Sequence, residues 1–189
     1  MQLIFQNISK VQGTVHRTYI ALQAFHPMRL EEVLRLKNED VDLENCLIYI
    51  RRSVTHPLRN APVIKGTKTL ASRRTIDLVP QMIPYITLGK PDEFVLGGKT
   101  PLSYTQTRKV LRRIQKEMGF DETLSPRRFR STVLTDIYDT TKDIKQAQAA
   151  AGHTTATMTL KHYVKGRNNH KNTAAAIAEA YGMEKCSIF

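Results

Sequence analysis

The chain has 189 residues, of which 41% are hydrophobic and 24% are charged, as in an ordinary globular protein. That composition excludes a disordered or fibrous chain. The length supports one well-buried core and leaves room for a second domain only if that domain is minimal. We therefore expect a single domain over residues 1–189, with its core at about 14–170 and a tail helix at 171–189.

The balance of charge is unusual for a chain of this size. Lys and Arg number 29 against 17 Asp and Glu, which leaves a formal net charge of +12 and a pI near 9.9. A dense polyanion is the natural partner of such a surface, and nucleic acid is the first candidate. Membrane surfaces, heparin and acidic proteins attract the same charge, so composition alone leaves these alternatives open.

The sequence carries no sign of export. No apolar run approaches the roughly 20 residues of a membrane span, and the N-terminal segment MQLIFQNISK lacks the layout of a signal peptide. Cys46 and Cys186 have neither metal-ligand nor CxxC spacing, and we interpret them as free thiols in a reducing compartment. We therefore expect a cytoplasmic location and no disulfide.

The first third of the chain has a helical pattern. Apolar residues recur at helical intervals over residues 14–26, at Val15, Tyr19, Leu22 and Phe25. Pro27 ends this pattern. The segment MRLEEVLRL that follows predicts a second, short helix, which the turn-forming residues Asn38 and Asp40 stop.

A β-rich region follows. The segments CLIYIRRSV, residues 46–54, and RRTIDL, residues 73–78, are rich in β-forming side chains, and a break with Pro and Asn separates them. Between Gly66 and Ser72 the small residues permit a tight turn before the last strand. The pattern predicts a small antiparallel sheet.

A strongly basic helix is expected from Ser103 onward. Ser103 and Gln106 have the spacing of a capping box, and Gly119 is a helix-ending residue. An apolar stripe lies on one face, at Val110, Leu111, Ile114 and Met118. The opposite face carries the cations Arg108, Lys109, Arg112, Arg113 and Lys116. Five cations with the single carboxylate of Glu117 favour DNA phosphate contacts over a merely solvated face.

Further helices follow to the end of the chain. Ser125 with Pro126 opens one through RRFRSTVLTDIYD, and Thr140 with Asp143 opens the next, which Gly152 ends. The segments ATMTLKHYVK and NTAAAIAEAYGM are further candidates. The fold class predicted is α+β, mainly α, with a small antiparallel sheet.

Several polar residues occupy notable positions, although each alone has an ordinary explanation. They are Arg29 after Pro27, Lys68 in a turn before a strand, Arg127 and Arg130 three apart on a helix, His153 after Gly152, and Tyr163. A lone arginine is usually a solvated surface residue, and this is our interpretation of Arg35. We expect Arg128 to point away from the face of Arg127 and Arg130.

In their order and spacing, four segments resemble the tyrosine recombinase, or phage integrase, family. They are MRLEEVLRL, TKTLASRRTIDL, LSPRRFRST and AAGHTTATMTLKHY, spread over about residues 20–170. The resemblance implies a catalytic domain that breaks and rejoins double-stranded DNA through a 3′-phosphotyrosine, in the integration or excision of a mobile element or prophage. It also implies self-association on DNA as a tetrameric synapse and a separate N-terminal core-binding domain, which we expect this chain to lack.

The resemblance also implies a role for each residue. Tyr163 is the nucleophile. Some members of the family carry the tyrosine one residue earlier, where this chain has His162, but a histidine would not form the durable ester that the chemistry uses. His153 donates a hydrogen bond to the phosphate. Lys68 is the general acid that protonates the leaving 5′ oxygen, with Lys65 as its competitor. The tail segment, residues 171–189, is either a core helix or an element that packs on a neighbouring subunit.

The arginines fit the chemistry of a phosphodiester. The resemblance matches Arg29 and Arg130 to the phosphate-binding arginines of the family. A planar guanidinium stays charged and can donate hydrogen bonds to two phosphate oxygens at once. Glu32 is expected to orient Arg29 through an ion pair rather than react. The same cations favour the phenolate form of the tyrosine. The scheme needs neither a metal nor another cofactor.

At Arg127 the sequence departs from the family, which usually has histidine there. An arginine cannot accept a proton, so His153 or water replaces it as the base, the enzyme is slow, or Arg127 only binds phosphate. Two other functions remain open. One is a non-catalytic DNA-binding relative, and the other is a type IB topoisomerase, which relaxes DNA without exchanging partner strands.

Overall fold

The computed structural model describes residues 1–55, 63–66 and 73–153, and these residues form a mainly helical fold with antiparallel strands, the fold class that the sequence predicts. The α-helices are α1 (Gln2–Asn7), α2 (Thr14–Phe25), α3 (Leu30–Val33), α4 (Tyr104–Met118), α5 (Pro126–Thr141) and α6 (Ile144–Ala151). Single turns of 3₁₀ helix occur at Ile8–Lys10 and Asn38–Asp40, and a longer one at Pro80–Tyr85. Among the described residues, no helix combines the length and apolar composition that crossing a bilayer requires.

The strands form two separate antiparallel units. They are β1 (Val41–Asp42), β2 (Leu47–Ile50), β3 (Arg52–Thr55), β4 (Val63–Gly66) and β5 (Arg74–Asp77). The first unit has the order β1-β2-β5, and β3 pairs with β4 in the second. The prediction of a small antiparallel sheet is confirmed, and the sequence did not reveal its division into two units.

The core is organised around α2. Residues Thr18 to Ala24 of this helix are all buried. The helix packs against α5, α3 and α4. Tyr19 and Leu22 are fully buried, as their helical spacing predicts, while Val15 is 41% exposed. Ile4, Ile8 and Val11 of the N-terminal segment are buried and join the same core.

The basic helix α4 has the predicted ends. The Ser103 Oγ accepts a hydrogen bond from the backbone N–H of Gln106 at 3.3 Å, and the Ser103 N–H donates to Gln106 Oε1 at 2.8 Å. Gly119 takes a left-handed conformation, φ 72°, which suits glycine. Leu111, Ile114 and Met118 are buried, so the predicted apolar stripe is confirmed.

Two details of the later helices differ from the prediction. Thr140 does not open α6 but lies inside α5, because that helix continues to Thr141 before it ends at Lys142. The residue that caps α6 is Asp143, whose Oδ1 accepts from Lys145 N at 2.7 Å. Ser125 does precede α5, but its side chain makes no capping hydrogen bond there.

Arg35 is not the surface residue that the sequence suggests. It is only 4% exposed, and its guanidinium carbon lies 5.7 Å from the centre of the Phe94 ring. Burial lowers its pKa. A cation over an aromatic face is stabilised by the ring's negative face, which explains how this arginine is held inside.

His26 gives the fold a dependence on pH. It is fully buried, its Nδ1 lies 3.1 Å from the Leu22 carbonyl oxygen, and its Nε2 accepts from Val79 N–H at 2.9 Å. The proton of the neutral ring is therefore on Nδ1. Burial lowers the pKa of His26 to about 4, although backbone hydrogen bonds oppose the shift.

We expect acid to destabilise the fold through His26. Between the folded pKa of about 4 and the ordinary value near 6.5, the unfolded chain binds the proton and the folded chain does not. His26 should therefore lower the free energy of unfolding by about 2 kcal/mol from pH 7 to pH 5. Urea unfolding at both pH values measures this, with His26→Gln as the control. An equal loss in wild type and variant would contradict it.

Candidate active site

A cleft of about 660 Å³ opens where three distant stretches of chain meet. They are the start of α3, the start of α5 and the segment that follows the C-cap of α6. The lining residues are Arg29, Leu30, Glu31, Ser125, Pro126, Arg127, Arg128, Arg130, Ser131 and His153. Four arginines give the cleft a cationic wall, which suits an anionic ligand.

Arg29 immediately precedes α3 and is held by Glu32. The Arg29 N–H donates to Glu32 Oε2 at 2.7 Å, and its Nη1 donates to Glu32 Oε1 at 2.9 Å. The predicted ion pair between the two residues is thus present. The Arg29 side chain remains 37% exposed, so part of its guanidinium faces the cleft.

Glu32 is the buried centre of the site. Burial by itself would raise the pKa of Glu32, but the hydrogen bonds and charge of Arg74, with those of Arg29, outweigh it and hold that pKa below its ordinary value. Glu32 is therefore an ionised carboxylate at neutral pH. Its role here is to orient arginines, since it is 3% exposed and lies behind them.

Arg130 lies on the first turns of α5 with its side chain 8% exposed. Its Nη1 donates to the Pro27 carbonyl oxygen, and its Nη2 donates to the Ala151 carbonyl oxygen at 2.6 Å. The Nη1 is also 4.0 Å from Glu32 Oε2. Arg130 therefore ties α5 to the segment before α3 and to the end of α6, with one edge at the cleft.

His153 follows the C-cap of α6. Gly152 has φ 61°, a left-handed conformation that ends the helix and turns the chain towards the cleft. The His153 N–H donates to the Gln148 carbonyl oxygen at 3.2 Å, while its side-chain Nε2 lies 3.4 Å from Arg130 Nη2. Because a guanidinium only donates, these two nitrogens form a hydrogen bond only in the tautomer that carries the ring proton on Nδ1.

Arg127 and Arg128 are both exposed and both line the cleft. Arg127 and Arg130 share this face, as their spacing predicts. The expectation that Arg128 points elsewhere is wrong. Its guanidinium lies 3.8 Å from Glu122, and the pair is exposed at the rim. Consecutive residues at the start of a helix both reach an open cleft because no further turn covers them.

Three predicted residues cannot be placed in the cleft. Lys68, His162 and Tyr163 lie outside the described residues. Lys65 lies in β4, opposite Ser53 of β3. The assignment of the nucleophile and of the general acid therefore stays a prediction, while Arg29, Arg130 and His153 are found together.

Sequence reasoning missed the part that Arg74 plays. Arg74 begins β5, and its side chain is 7% exposed against Glu32. The signal was available in the strand, where residues two apart share a face. Because Ile76 is an obvious core residue, Arg74 had to face the core as well.

A second missed contact lies at the edge of the cleft. The Tyr104 hydroxyl, at the start of α4, donates to Glu31 Oε1 at 2.6 Å. Burial and the neighbouring Glu31 carboxylate both raise the pKa of Tyr104. This bond attaches the basic helix α4 to the same short helix that carries Glu32.

The cations of α4 lie on its open face. Arg108, Lys109, Arg112, Arg113 and Lys116 are all exposed, opposite the buried stripe. Arg113 pairs with Glu117 at 2.9 Å one turn further on. An exposed array of this kind is available to a polyanion.

Comparison with known proteins places this chain in a family. The sequence model described as "Phage integrase family" matches residues 1–170, which is most of the chain. No curated protein matches it in sequence. Because the family model spans well over half of the chain, the protein belongs to the phage integrase family, and the resemblance seen in the four segments is confirmed.

Solved structures share the fold. The Tn1549 transposon integrase in complex with a circular intermediate DNA has a TM-score of 0.70 at 20% identity, covering 94% of this chain and 62% of that one. The XerA recombinase has 0.65 at 17%, covering 96% and 61%. The XerH site-specific recombinase bound to difH substrate has 0.65 at 20%, covering 95% and 51%. The chain thus spans about half to three fifths of these relatives' length.

Proposed function

We propose that this chain cleaves and rejoins DNA strands in site-specific recombination, through a 3′-phosphotyrosine on Tyr163. Family membership supports this function. The observation that carries it is the convergence of Arg29, Arg130 and His153 on one cationic cleft from three separate parts of the chain. A single anionic group of the size of a phosphate suits that arrangement.

The fixed cations match the demand of the reaction. As a nucleophile attacks a phosphodiester, negative charge grows on the nonbridging oxygens, and preorganised donors at that position lower the barrier. Glu32 holds the Arg29 guanidinium from behind, and two backbone carbonyls hold that of Arg130. Neither arginine has to reorganise when the phosphate enters.

The chemical step conserves the energy of the phosphodiester. The Tyr163 phenol oxygen forms a bond to phosphorus, the bond from phosphorus to the 5′ oxygen breaks, and Lys68 gives that oxygen its proton. The phenol proton passes to His153, which lines the cleft and, unlike Arg127, can accept a proton. Attack of a 5′ hydroxyl on the phosphotyrosine reverses the step and joins a new strand.

Arg127 binds phosphate in this scheme. It is exposed in the cleft and permanently charged, so it adds attraction for DNA and cannot exchange a proton. The cost is the loss of a base at the position where the family usually carries histidine. We expect slow chemistry in the wild-type chain.

The proposed substrate is double-stranded DNA from a mobile element. The Tn1549 integrase is a transposon protein on circular intermediate DNA, and XerH is a recombinase on difH, which supports both the ligand and the reaction class. Self-association into a tetrameric synapse, action in the cytoplasm and a single domain over the chain stay predictions.

A covalent trap tests the proposal. The substrates are duplexes of randomised sequence with a nick close to the position of cleavage. After cleavage, the short fragment between the new 5′ hydroxyl and the nick dissociates. The reverse reaction is then lost, and the protein stays linked to the DNA. We expect a denaturant-resistant adduct with the wild type and none with Tyr163→Phe. Tyr138→Phe, which removes a hydroxyl on α5 instead, should form it normally, and His162→Gln separates the neighbouring alternative.

The same experiment separates the rival functions. Binding of DNA with no adduct on any duplex would identify a non-catalytic relative and refute the proposal. If an adduct forms, a second duplex with a free 5′ hydroxyl tests strand transfer. Joining of strands between duplexes supports a recombinase, and resealing within one duplex alone supports a type IB topoisomerase.

We expect the cations of α4 to contact DNA phosphates. The double variant Arg108→Gln/Arg112→Gln should lose two phosphate contacts. Each contact contributes about 0.9 to the slope of log K for DNA binding against log salt concentration, so the slope should become shallower by about 2. Fluorescence anisotropy over a salt series measures the slope. The control is Lys90→Gln/Lys99→Gln, which removes two exposed charges from a loop. An equal change in both variants would show that α4 makes no specific phosphate contact.

A further inference from the structure

We propose that Arg74 is a positioning residue, which neutralises Glu32 and so leaves the positive charges of Arg29 and Arg130 to a phosphate in the cleft. The inference deepens the proposed function, because it concerns the same cleft. It does not depend on Tyr163 or on strand cleavage.

Arg74 forms a bidentate ion pair with Glu32. Arg74 Nη1 donates to Glu32 Oε1, and Arg74 Nη2 donates to Glu32 Oε2, both at 2.9 Å. Such a fork is stronger and more rigid than a single contact. Arg29 meets Glu32 through one side-chain nitrogen only, so Arg74 is the main counterion of the carboxylate.

Arg74 does not face the cleft itself. Its Nε donates to the Ala150 carbonyl oxygen at 3.0 Å, and its Nη2 lies 3.4 Å from the Pro27 carbonyl oxygen. A Cβ placed on Gly152 would come within 3.0 Å of Arg74 Nη1, so the guanidinium packs against the end of α6. Arg74 is absent from the residues that line the cleft.

The balance of charge explains why a third arginine is needed. Glu32 is needed to hold Arg29 in place, but its negative charge also cancels part of the attraction for an anion. Three guanidinium groups surround this one carboxylate, at distances of 2.9 Å for Arg29 and Arg74 and 4.0 Å for Arg130. With Arg74 present the cluster keeps two positive charges, and without it only one.

This charge balance can be measured with inorganic phosphate. A ligand that binds the folded state raises the melting temperature by an amount that depends on its concentration relative to Kd, so a phosphate titration of each variant gives its affinity with that variant's phosphate-free sample as the reference. In Arg74→Gln we expect phosphate affinity to fall on the order of tenfold, as the loss of one nearby charge implies. Arg74→Lys, which keeps the charge but loses the fork, should stay within about threefold of wild type.

A double variant separates charge from structure. Glu32→Gln/Arg74→Gln removes the carboxylate and its counterion together, so the charges of Arg29 and Arg130 remain, and phosphate affinity should return to within about threefold of wild type. A merely structural role predicts that Arg74→Lys and the double variant bind as weakly as Arg74→Gln. Arg52→Gln is the control, since Arg52 pairs with Glu39 and Asp40 away from the cleft.

The results separate this inference from the proposed function. Unchanged phosphate affinity in Arg74→Gln, no recovery in the double variant, or no phosphate-dependent stabilisation of the wild type would overturn the role of Arg74. None of these measurements involves a covalent adduct. An absent adduct with the expected phosphate pattern would instead refute the proposed recombination and leave Arg74 as part of an anion site.

Discussion

Replacement of Arg130 with methionine is expected to slow DNA cleavage severely and also to weaken the fold. The side chain holds the carbonyl oxygens of Pro27 and Ala151 in the interior. Without it the Ala151 oxygen would lose this donor, and the Pro27 oxygen would keep only the longer contact from Arg74 Nη2 at 3.4 Å. We expect the free energy of unfolding to fall by about 2 to 4 kcal/mol, since each unsatisfied buried group costs about 1 to 3 kcal/mol. Cleavage should fall by about 100- to 1,000-fold or more, since a fixed donor to the developing charge is lost.

Urea unfolding and single-turnover cleavage of nicked duplexes separate these two effects. Arg130→Lys keeps the charge but cannot reach both carbonyls, so it should recover part of the stability and less of the cleavage rate. Arg128→Met is the stability control on the same helix. Its exposed pair with Glu122 should contribute less than about 1 kcal/mol. If Arg130→Met cleaves DNA at the wild-type rate, Arg130 does not bind the reacting phosphate.

Arg127→His is expected to make the enzyme faster. Arg127 lines the cleft and cannot accept a proton, whereas a neutral histidine at the same place can. General base catalysis contributes about 100- to 10,000-fold in enzymes, and we expect at least about tenfold in single-turnover cleavage at pH 8. DNA affinity should fall several-fold, because one cation is lost.

The pH profile identifies the cause of that gain. Because an ordinary histidine titrates near pH 6.5, the advantage of Arg127→His should appear as pH rises through about that value and then level off. Arg127→Gln supplies neither charge nor base, and should lose affinity without gaining rate. If the histidine variant is no faster than the glutamine variant at any pH, residue 127 does not lie where a proton is exchanged.

Local sequence patterns predicted most of the helices and strands. Ser103 and Gly119 set the ends of α4 because capping is a matter of neighbouring residues. Where the prediction failed, competing signals were close together. Thr140 has the spacing of a helix start before Asp143, but α5 was still continuing there, since the packing of a helix overrides a weak cap signal.

The candidate site was predicted in part. Arg29, Glu32, Arg130 and His153 could be named from their segments, and the structure brings them together. The central place of Arg74 was not recognised. The alternation of β5 puts Arg74 on the same face as Ile76, but its partner Glu32 is 42 positions away in the sequence. The burial of Arg35 was missed because its partner Phe94 is also distant in the sequence.

By itself, the sequence determined the composition of the cleft, the caps and apolar faces of the helices, and the basic face of α4, because these depend on residue type and short spacing. The sequence also predicted the local ion pair of Arg29 with Glu32. Only the tertiary structure decided which charges from distant segments neutralise one another. Glu32 meets Arg74 across 42 positions, and Arg130 meets Pro27 across 103. Such pairings depend on how the segments pack, and no local pattern in the chain encodes that packing.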